Sequence, residues 1–593
     1  MKLQDRSKTA SCNQWDLSHI YKTRADWEKA LTEATRATEA LLPLATTLGT
    51  SANALAAGLA QILQAQQLQQ RVYIYAYLTL CQDNGDADAQ QMEERARALG
   101  VLFESTTAFV EPELLAINAQ TLQQYLMQPE LIPYRHRIEN IVRGRAHVLP
   151  FKEEKMLAML QDAAGSCRKG FEMLQSVDMP FPAVHDEQGR LISLSHGNYG
   201  VLRESRSRAV RKEAFAAYFG TYRQYCNTFA ALLGGSIKMD CYYSRQRNFS
   251  DACEMALFQK NVPSAVYDTL IAAVHAALPL LHDYLALRKQ ILGLDTLHMY
   301  DLYCPMVPQV EMPMPFEKAK ALVLQATACL GEAYTATLER AFEERWIDIY
   351  ENRGKTTGAF SCGVWGVHPY VLLNYTETLD DAFTLAHELG HCMHSYLADQ
   401  AQSYGNHAYE ILVAEVASTV NEVLLTKYLL AEEQDPARRA YIANHLLEDF
   451  RTTVFRQTLF AEFERTTHRM YQAGEPLTAS SMNALYHSLN EQYYQGVEID
   501  AEQDVEWAHI PHFYDAFYVF QYATGFCTAV AIAGKIFATQ DATAYFAFLR
   551  SGGSMYPMEQ LASVGIDLTN PKTVQDAMEL FADTLQQLRE MLL

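Results

Sequence analysis

Apolar residues recur at three- and four-residue spacing from residue 24 to about 175, and again from about 378 almost to residue 593. That period lines one face of an α-helix. The residues that interrupt helices are scarce: 28 glycines and 19 prolines in 593 residues, with glycine below the roughly 7 % of average proteins. Strong helix formers fill 52–73, 90–109, 111–127 and 153–175. No fixed-period repeat runs through them, which excludes a solenoid. The texture changes near Asp178, where MPFPAVHDEQGRLISLSHGNYG carries two prolines and a turn signal at 186–189 between short apolar runs, predicting a β-hairpin. A second β-prone region covers 298–303 and 346–375. The fold class expected is mainly α, a multi-helix protein with one small β-sheet. The hairpin suggests a boundary, with a helical domain over 1–195 and a second domain, carrying the chemistry, over 196–593.

Composition narrows the partners. Lys and Arg number 48 against 70 Asp and Glu, a net charge of −22. A field of that sign repels phosphate backbones, so nucleic-acid binding is disfavoured. The 11 cysteines are scattered from Cys12 to Cys527 with no CxxC pair, as in reduced thiols of a reducing compartment. The first residues lack an apolar signal region. The most apolar stretch, 526–538, is interrupted by Gly534 and Lys535 and is short for a bilayer span. A cytoplasmic protein with no membrane partner is expected.

Chemistry concentrates at His387-Glu388-Leu389-Gly390-His391. Histidines at i and i+4 share one helix face, so both imidazoles can reach one metal ion. The glutamate between them can take a proton from metal-bound water. Asp380 and Asp381 suit the N-terminus of such a helix, and Phe383, Leu385, Ala386 and Leu389 supply an apolar wall. His394, seven residues after His387, lies about 10.5 Å along the axis at 1.5 Å per residue. That is too far to share the ion, which leaves packing, a role behind the ligands, or a substrate-facing one.

A third ligand has to come from another helix. The stretch 407–430 is strongly apolar and carries Glu410, Glu415 and Glu422. Glu410 follows His391 by 19 residues, the spacing of many zinc aminopeptidases. Glu415 follows by 24 and sits between Ala414 and Val416, where an isolated buried charge is costly unless paired or bound to metal. Glu422, two turns on, suits a carboxylate that orients a ligand histidine.

HELGHCMHSYL followed by AEVASTVNE resembles the zinc peptidase family that contains thimet oligopeptidase and oligoendopeptidase F, and the likeness covers nearly the whole chain. WDLSHIY near the start, Arg211-Lys-Glu-Ala-Phe215, IPHFYDAFYVFQYATG and FLRSGGSMYP all look like oligoendopeptidase F. The resemblance implies a zinc endopeptidase of short unfolded peptides, a deep cleft between two helical halves, and Glu415, at the head of Glu-Val-Ala-Ser, as the third ligand. Tyr514, Tyr518 and Tyr522 recur every four residues, a stripe expected on one helix. Spacing alone reads it as core, whereas the resemblance gives Tyr514, Tyr518 and a histidine the role of holding substrate and the oxyanion. His512 matches the oligoendopeptidase F pattern and His509 the thimet-type spacing. Gly358 and Ala359 resemble the family's exposed strand edge, which would bind substrate backbone by β-addition.

The expected chemistry is one Zn²⁺ per chain on His387, His391 and Glu415, with Glu388 activating a zinc-bound water against internal bonds of short peptides. Rival functions are an exopeptidase (an aminopeptidase or a carboxydipeptidase) and a non-catalytic peptide-binding protein. Glu388 speaks against the last, since a structural zinc site needs no proton acceptor.

Overall fold

The computed structural model describes residues 4–307, 310 and 312–593. Helix makes up 71 % of the protein, as the periodicity predicts. The strands among the described residues form three small sheets instead of one. Two compact units divide the chain, and neither is contiguous. The first gathers Met1–Arg145, Met312–Tyr428 and Ile532–Gly565; the second gathers Ala146–Glu311, Leu429–Ala531 and Ile566–Leu593. These units do not follow the division expected at residue 195. Two apolar clusters, one around Leu55, Leu59 and Leu114 and one around Trp27, Val72 and Ala96, lie within the N-terminal helices, while Trp15, Ile74 and Leu78 share a third with Val364, Tyr370 and Leu372.

In the first unit, helices Arg24–Glu39, Ala52–Gln82 and Ala87–Thr107 pack together. Each has a side-chain cap: Thr23 with Asp26 in a reciprocal box, then Ser51, then Asp86. The helix expected over 111–127 is two, Val110–Ala116 and Ala119–Leu126, because Asn118 accepts from the backbone of Gln120 and Thr121 and starts a new N-terminus. A three-stranded sheet has Tyr370–Leu372 at its centre, parallel to Ile347–Asp348 and antiparallel to Phe360–Cys362. All three central residues are fully buried, which explains a continuous apolar run without alternation. Phe360–Cys362 is left as an edge strand.

In the second unit, Ala265–Ile291 packs against Lys572–Leu592 and Arg456–Gln472. Its buried Arg288 shares Glu448 with Arg451. The expected hairpin pairs Ala183–His185 with Leu191–Ser193. Its turn is closed by Asp186 N to Arg190 O at 3.0 Å, with Gly189 at φ 71°. The hairpin packs on helix Arg208–Gln224 of the same unit.

Among the described residues, two helices reach the length and apolarity of a bilayer span, Ala265–Ile291 and Phe520–Thr539. The stretch 526–538 thus belongs to a longer helix than its sequence limits suggested. Core packing accounts for the apolarity: Val266, Leu270, Val274 and Leu281 on the first, and Ala523, Cys527, Val530 and Ile536 on the second, are all buried.

Candidate active site

Helix Leu379–Ala401 carries the His387-Glu-Leu-Gly-His391 motif. Thr378 accepts from Asp381 N, and the Asp381 carboxylate accepts from the Thr378 backbone, so a full capping box starts the helix where the two aspartates predict. Beside it runs helix Ile411–Glu432. Glu410 lies just before that helix and is exposed, its carbonyl accepting from Val413 N at 3.1 Å. Five residues on, Glu415 reaches the motif. Its Oε2 lies 3.6 Å from His387 Nε2 and 3.8 Å from His391 Nε2.

One glycine makes that approach geometrically available. A Cβ built at Gly390 would stand 2.5 Å from Ser418 Cα and 2.6 Å from the Ala417 carbonyl oxygen, so any larger residue separates the two helix backbones. Asn421 clamps the same contact, donating from Nδ2 to the Ala386 carbonyl at 3.1 Å and accepting from the Tyr334 hydroxyl at 2.9 Å. Neither Gly390 nor Asn421 stood out in the sequence. A glycine inside a helix, between two ligand histidines, was the available signal.

The remaining groups complete an ordered environment. His387 Nδ1 donates to Glu422 Oε1, which leaves Nε2 free to face Glu415. Burial alone would lower the His387 pKa; the Glu422 hydrogen bond and the charges of Glu422, Glu388 and Glu415 raise it to about 9. Burial and the neighbouring His387 push His391 down to about 3. Glu388 is buried, and its Oε2 has no hydrogen-bond partner. Desolvation pushes its carboxyl up to about 7, against the pull of His387 and of the Ser361 backbone N–H in the edge strand. Donor atoms of His387, His391 and Glu415 all lie within 4.8 Å of one another. Ligands bound at about 2.0–2.2 Å in a tetrahedron stand roughly 3.4 Å apart, so the spacing and the donor set fit a divalent cation.

Other expected residues are found in different surroundings. His394 is 1 % exposed, stacked on Tyr409 with ring centroids 3.5 Å apart, and close to Phe548. Gly358 is exposed at φ 82° and leads, through Ala359, into the edge strand; its carbonyl accepts from Asn374 Nδ2 at 2.8 Å. The tyrosines do not share one helix. Tyr514 ends a 3₁₀ turn, Pro511–Tyr514, the chain breaks at Phe517 with φ 58°, and only Tyr522 lies on helix Phe520–Thr539. The break is held by Glu464, whose Oε1 accepts from Phe517 N at 2.8 Å.

That break groups the side chains of the second unit. His512 stacks on Tyr518 at 5.9 Å, and its Nε2 lies 3.3 Å from the Tyr522 hydroxyl. Tyr514 packs on Phe171 at 4.6 Å. His509 stands apart among Tyr218, Phe219 and Tyr222, where burial lowers its pKa to about 4.

Comparison with known proteins identifies the family. Residues 201–580 match peptidase family M3, and residues 113–181 match oligopeptidase F. The chain is 40 % identical over 596 residues to oligopeptidase PepF of Bacillus subtilis (strain 168), covering 100 % of this chain and 89 % of that one. It is also 40 % identical over 595 residues to an oligoendopeptidase F homolog of Lactococcus lactis subsp. lactis (strain IL1403), covering 99 % and 98 %. Among solved structures, the oligoendopeptidase-F from Enterococcus faecium superposes with a TM-score of 0.74 at 36 % identity, covering 96 % of this chain and 99 % of that one. By sequence over its full length and by fold, the chain belongs to peptidase family M3, among the oligoendopeptidase F proteins.

Proposed function

We propose that this protein is a zinc-dependent endopeptidase cleaving internal bonds of short, unfolded peptides, with Glu388 as the proton-transfer group. Family M3 membership makes it a metallo-oligopeptidase and implies a divalent metal. Zinc is favoured by chemistry, since two imidazoles and one carboxylate are the donor set of catalytic zinc sites. The observation that carries the proposal is three convergent donors beside a buried carboxylate oxygen with no partner.

His387, His391 and Glu415 would hold a divalent ion, which when bound would supply positive charge to polarise a scissile carbonyl and acidify a water. Glu388 takes that water's proton and delivers one to the leaving amine. A carboxyl raised toward neutrality by burial suits both steps. Glu422 fixes the tautomer of His387. An extended peptide adds to the edge strand Phe360–Cys362, entering along Gly358 and Ala359, which reads backbone and tolerates many side chains. Family resemblance gives Tyr514, Tyr518 and His512 the hydrogen bonds to the oxyanion. A cytoplasmic setting goes with eleven unpaired cysteines, seven of them buried.

The test is a quenched fluorescent peptide of about nine residues, a length that suits β-addition, blocked at both ends. Cleavage that a chelator abolishes and zinc restores is the expected outcome. Failure to cut it, with zinc bound and the same peptide cut once its termini are free, would replace the endopeptidase with an exopeptidase.

A further inference from the structure

The second unit holds a cavity of about 40 Å³ lined by Arg203, Arg451, Arg456, Tyr199, Tyr303 and Tyr494, with Glu506 and His509 at its wall. Its charges do not balance. Arg451 pairs with Glu448, but Glu448 is shared with the buried Arg288. Arg456 pairs with Glu506 at 2.6 Å, and Glu506 also accepts from Tyr486 and Gln503. Arg203 forms no ion pair among the described residues; its guanidinium carbon lies 3.8 Å from the Tyr303 ring centroid and its Nε is buried without a partner. Four guanidinium groups therefore share two carboxylates. Burial holds His509 near 4, so its imidazole is neutral and adds no further positive charge.

Hydrogen-bonding capacity is open as well. Among the described residues the hydroxyls of Tyr199, Tyr303 and Tyr494 make no hydrogen bond, although all three line the cavity. Buried polar groups of native proteins are nearly always satisfied, and uncompensated buried charge is expensive. The field at Tyr303 records the excess. Burial by itself would raise that phenol, yet Arg456, Arg451 and Arg203 hold it below the usual tyrosine value. The space suits a few waters or one compact ion, not a side chain.

The geometry points to an anion site here: the cavity binds a small oxyanion, held by the guanidinium groups of Arg203, Arg451 and Arg456 and by the Tyr199, Tyr303 and Tyr494 hydroxyls. Planar guanidinium forks and phenolic donors are the groups that recognise phosphate and carboxylate oxygens. The site is assigned to a free ion, because the cavity is small. The same chemistry would accept the terminal carboxylate of a peptide, and the test separates the two. None of the lining residues belongs to the metal centre.

Inorganic phosphate is the probe, titrated against the full-length protein at constant ionic strength, with melting temperature as the readout. Wild type is expected to show a saturable rise, whereas Arg203→Met shifts half-saturation at least about tenfold, the loss of one charge-assisted hydrogen bond. Tyr303→Phe, which removes one hydroxyl and leaves every ion pair intact, serves as the second variant and should weaken binding in the same direction. Superimposable curves for wild type and both variants, or no saturable phase in wild type, overturn the site. Paired peptide substrates, one with a free C-terminal carboxylate and one amidated, identify the source. Equal KM changes in Arg203→Met support the free ion, and a KM rise confined to the free acid overturns it in favour of the peptide terminus.

Discussion

Glu415 and Glu422, two turns apart on one helix, engage opposite nitrogens of the same imidazole: Glu415 faces His387 Nε2 at 3.6 Å while Glu422 accepts from His387 Nδ1. The ring is thereby oriented and its tautomer set from a single neighbouring helix. Glu415→Ala should abolish stoichiometric metal binding, measured by metal content after dialysis. Glu410→Ala should leave it intact, because that carboxylate is exposed before the helix begins. Glu422→Gln keeps the three donors and should weaken metal affinity by about 10–100-fold. Equal retention in Glu415→Ala and wild type would remove Glu415 from the ligand set.

Glu388→Gln preserves shape and removes the proton acceptor. The variant should bind metal as wild type does and lose at least about 10²–10⁴-fold in kcat, the usual contribution of general acid–base catalysis. Turnover at the wild-type rate, in protein with one metal per chain, sinks the assigned role.

Gly390→Ala tests the close approach of the two helices. The added methyl meets backbone at 2.5 Å, which flexible side chains cannot relieve. Overpacking of this kind costs about 1–3 kcal/mol, so the melting temperature should fall, and metal affinity should fall with it as Glu415 is pushed from His387 and His391. An unchanged metal affinity in the folded variant would mean that the ligand geometry does not depend on this contact.

Tyr514→Phe and Tyr518→Phe each delete one hydroxyl. If either donates to the oxyanion, its loss should raise the barrier by about 2.7–4 kcal/mol, seen in kcat with little change in KM. His512→Ala should act like Tyr518→Phe, since the two rings stack, whereas His509→Ala should not, since His509 lies in a different aromatic box. Two Tyr→Phe variants with wild-type kinetics would leave these tyrosines as packing.

Stability should depend on pH through Glu464. Desolvation holds its carboxyl at about 7, above the unfolded value near 4.5, against the opposing charge of His468 and the hydrogen bonds from Phe517 and Tyr267, with Asp240 adding to the rise. Because the folded state keeps this proton longer, stability should fall as pH rises from about 4.5 to about 7. His468, whose pKa is also raised, works in the same direction: its contribution is full below the unfolded value and lost as pH rises. The melting temperature of wild type minus that of Glu464→Gln should therefore decrease between pH 5 and pH 8. A difference that grows with pH contradicts the protonation of this buried group.

Much of this protein is written in local pattern. The 3.6-residue period marks the helices, a turn signal marks the hairpin, and two histidines one helical turn apart mark the metal helix, because each depends on residues that are neighbours in sequence. Glu415 was legible for a related reason: a carboxylate in the most apolar part of a helix needs a partner. What the local pattern could not decide is how segments far apart in sequence assemble. The N-terminal helices close apolar clusters of their own and also join the sheet around Tyr370, because Trp15, Ile74 and Leu78 share buried surface with Val364, Tyr370 and Leu372. The tyrosine stripe breaks at Phe517 because Glu464, over fifty residues upstream, captures its backbone N–H. Gly390 and Asn421 become significant only once the second helix lies against them. Propensity acts within a turn or two of chain, whereas burial of shared surface and satisfaction of polar groups act across the whole fold.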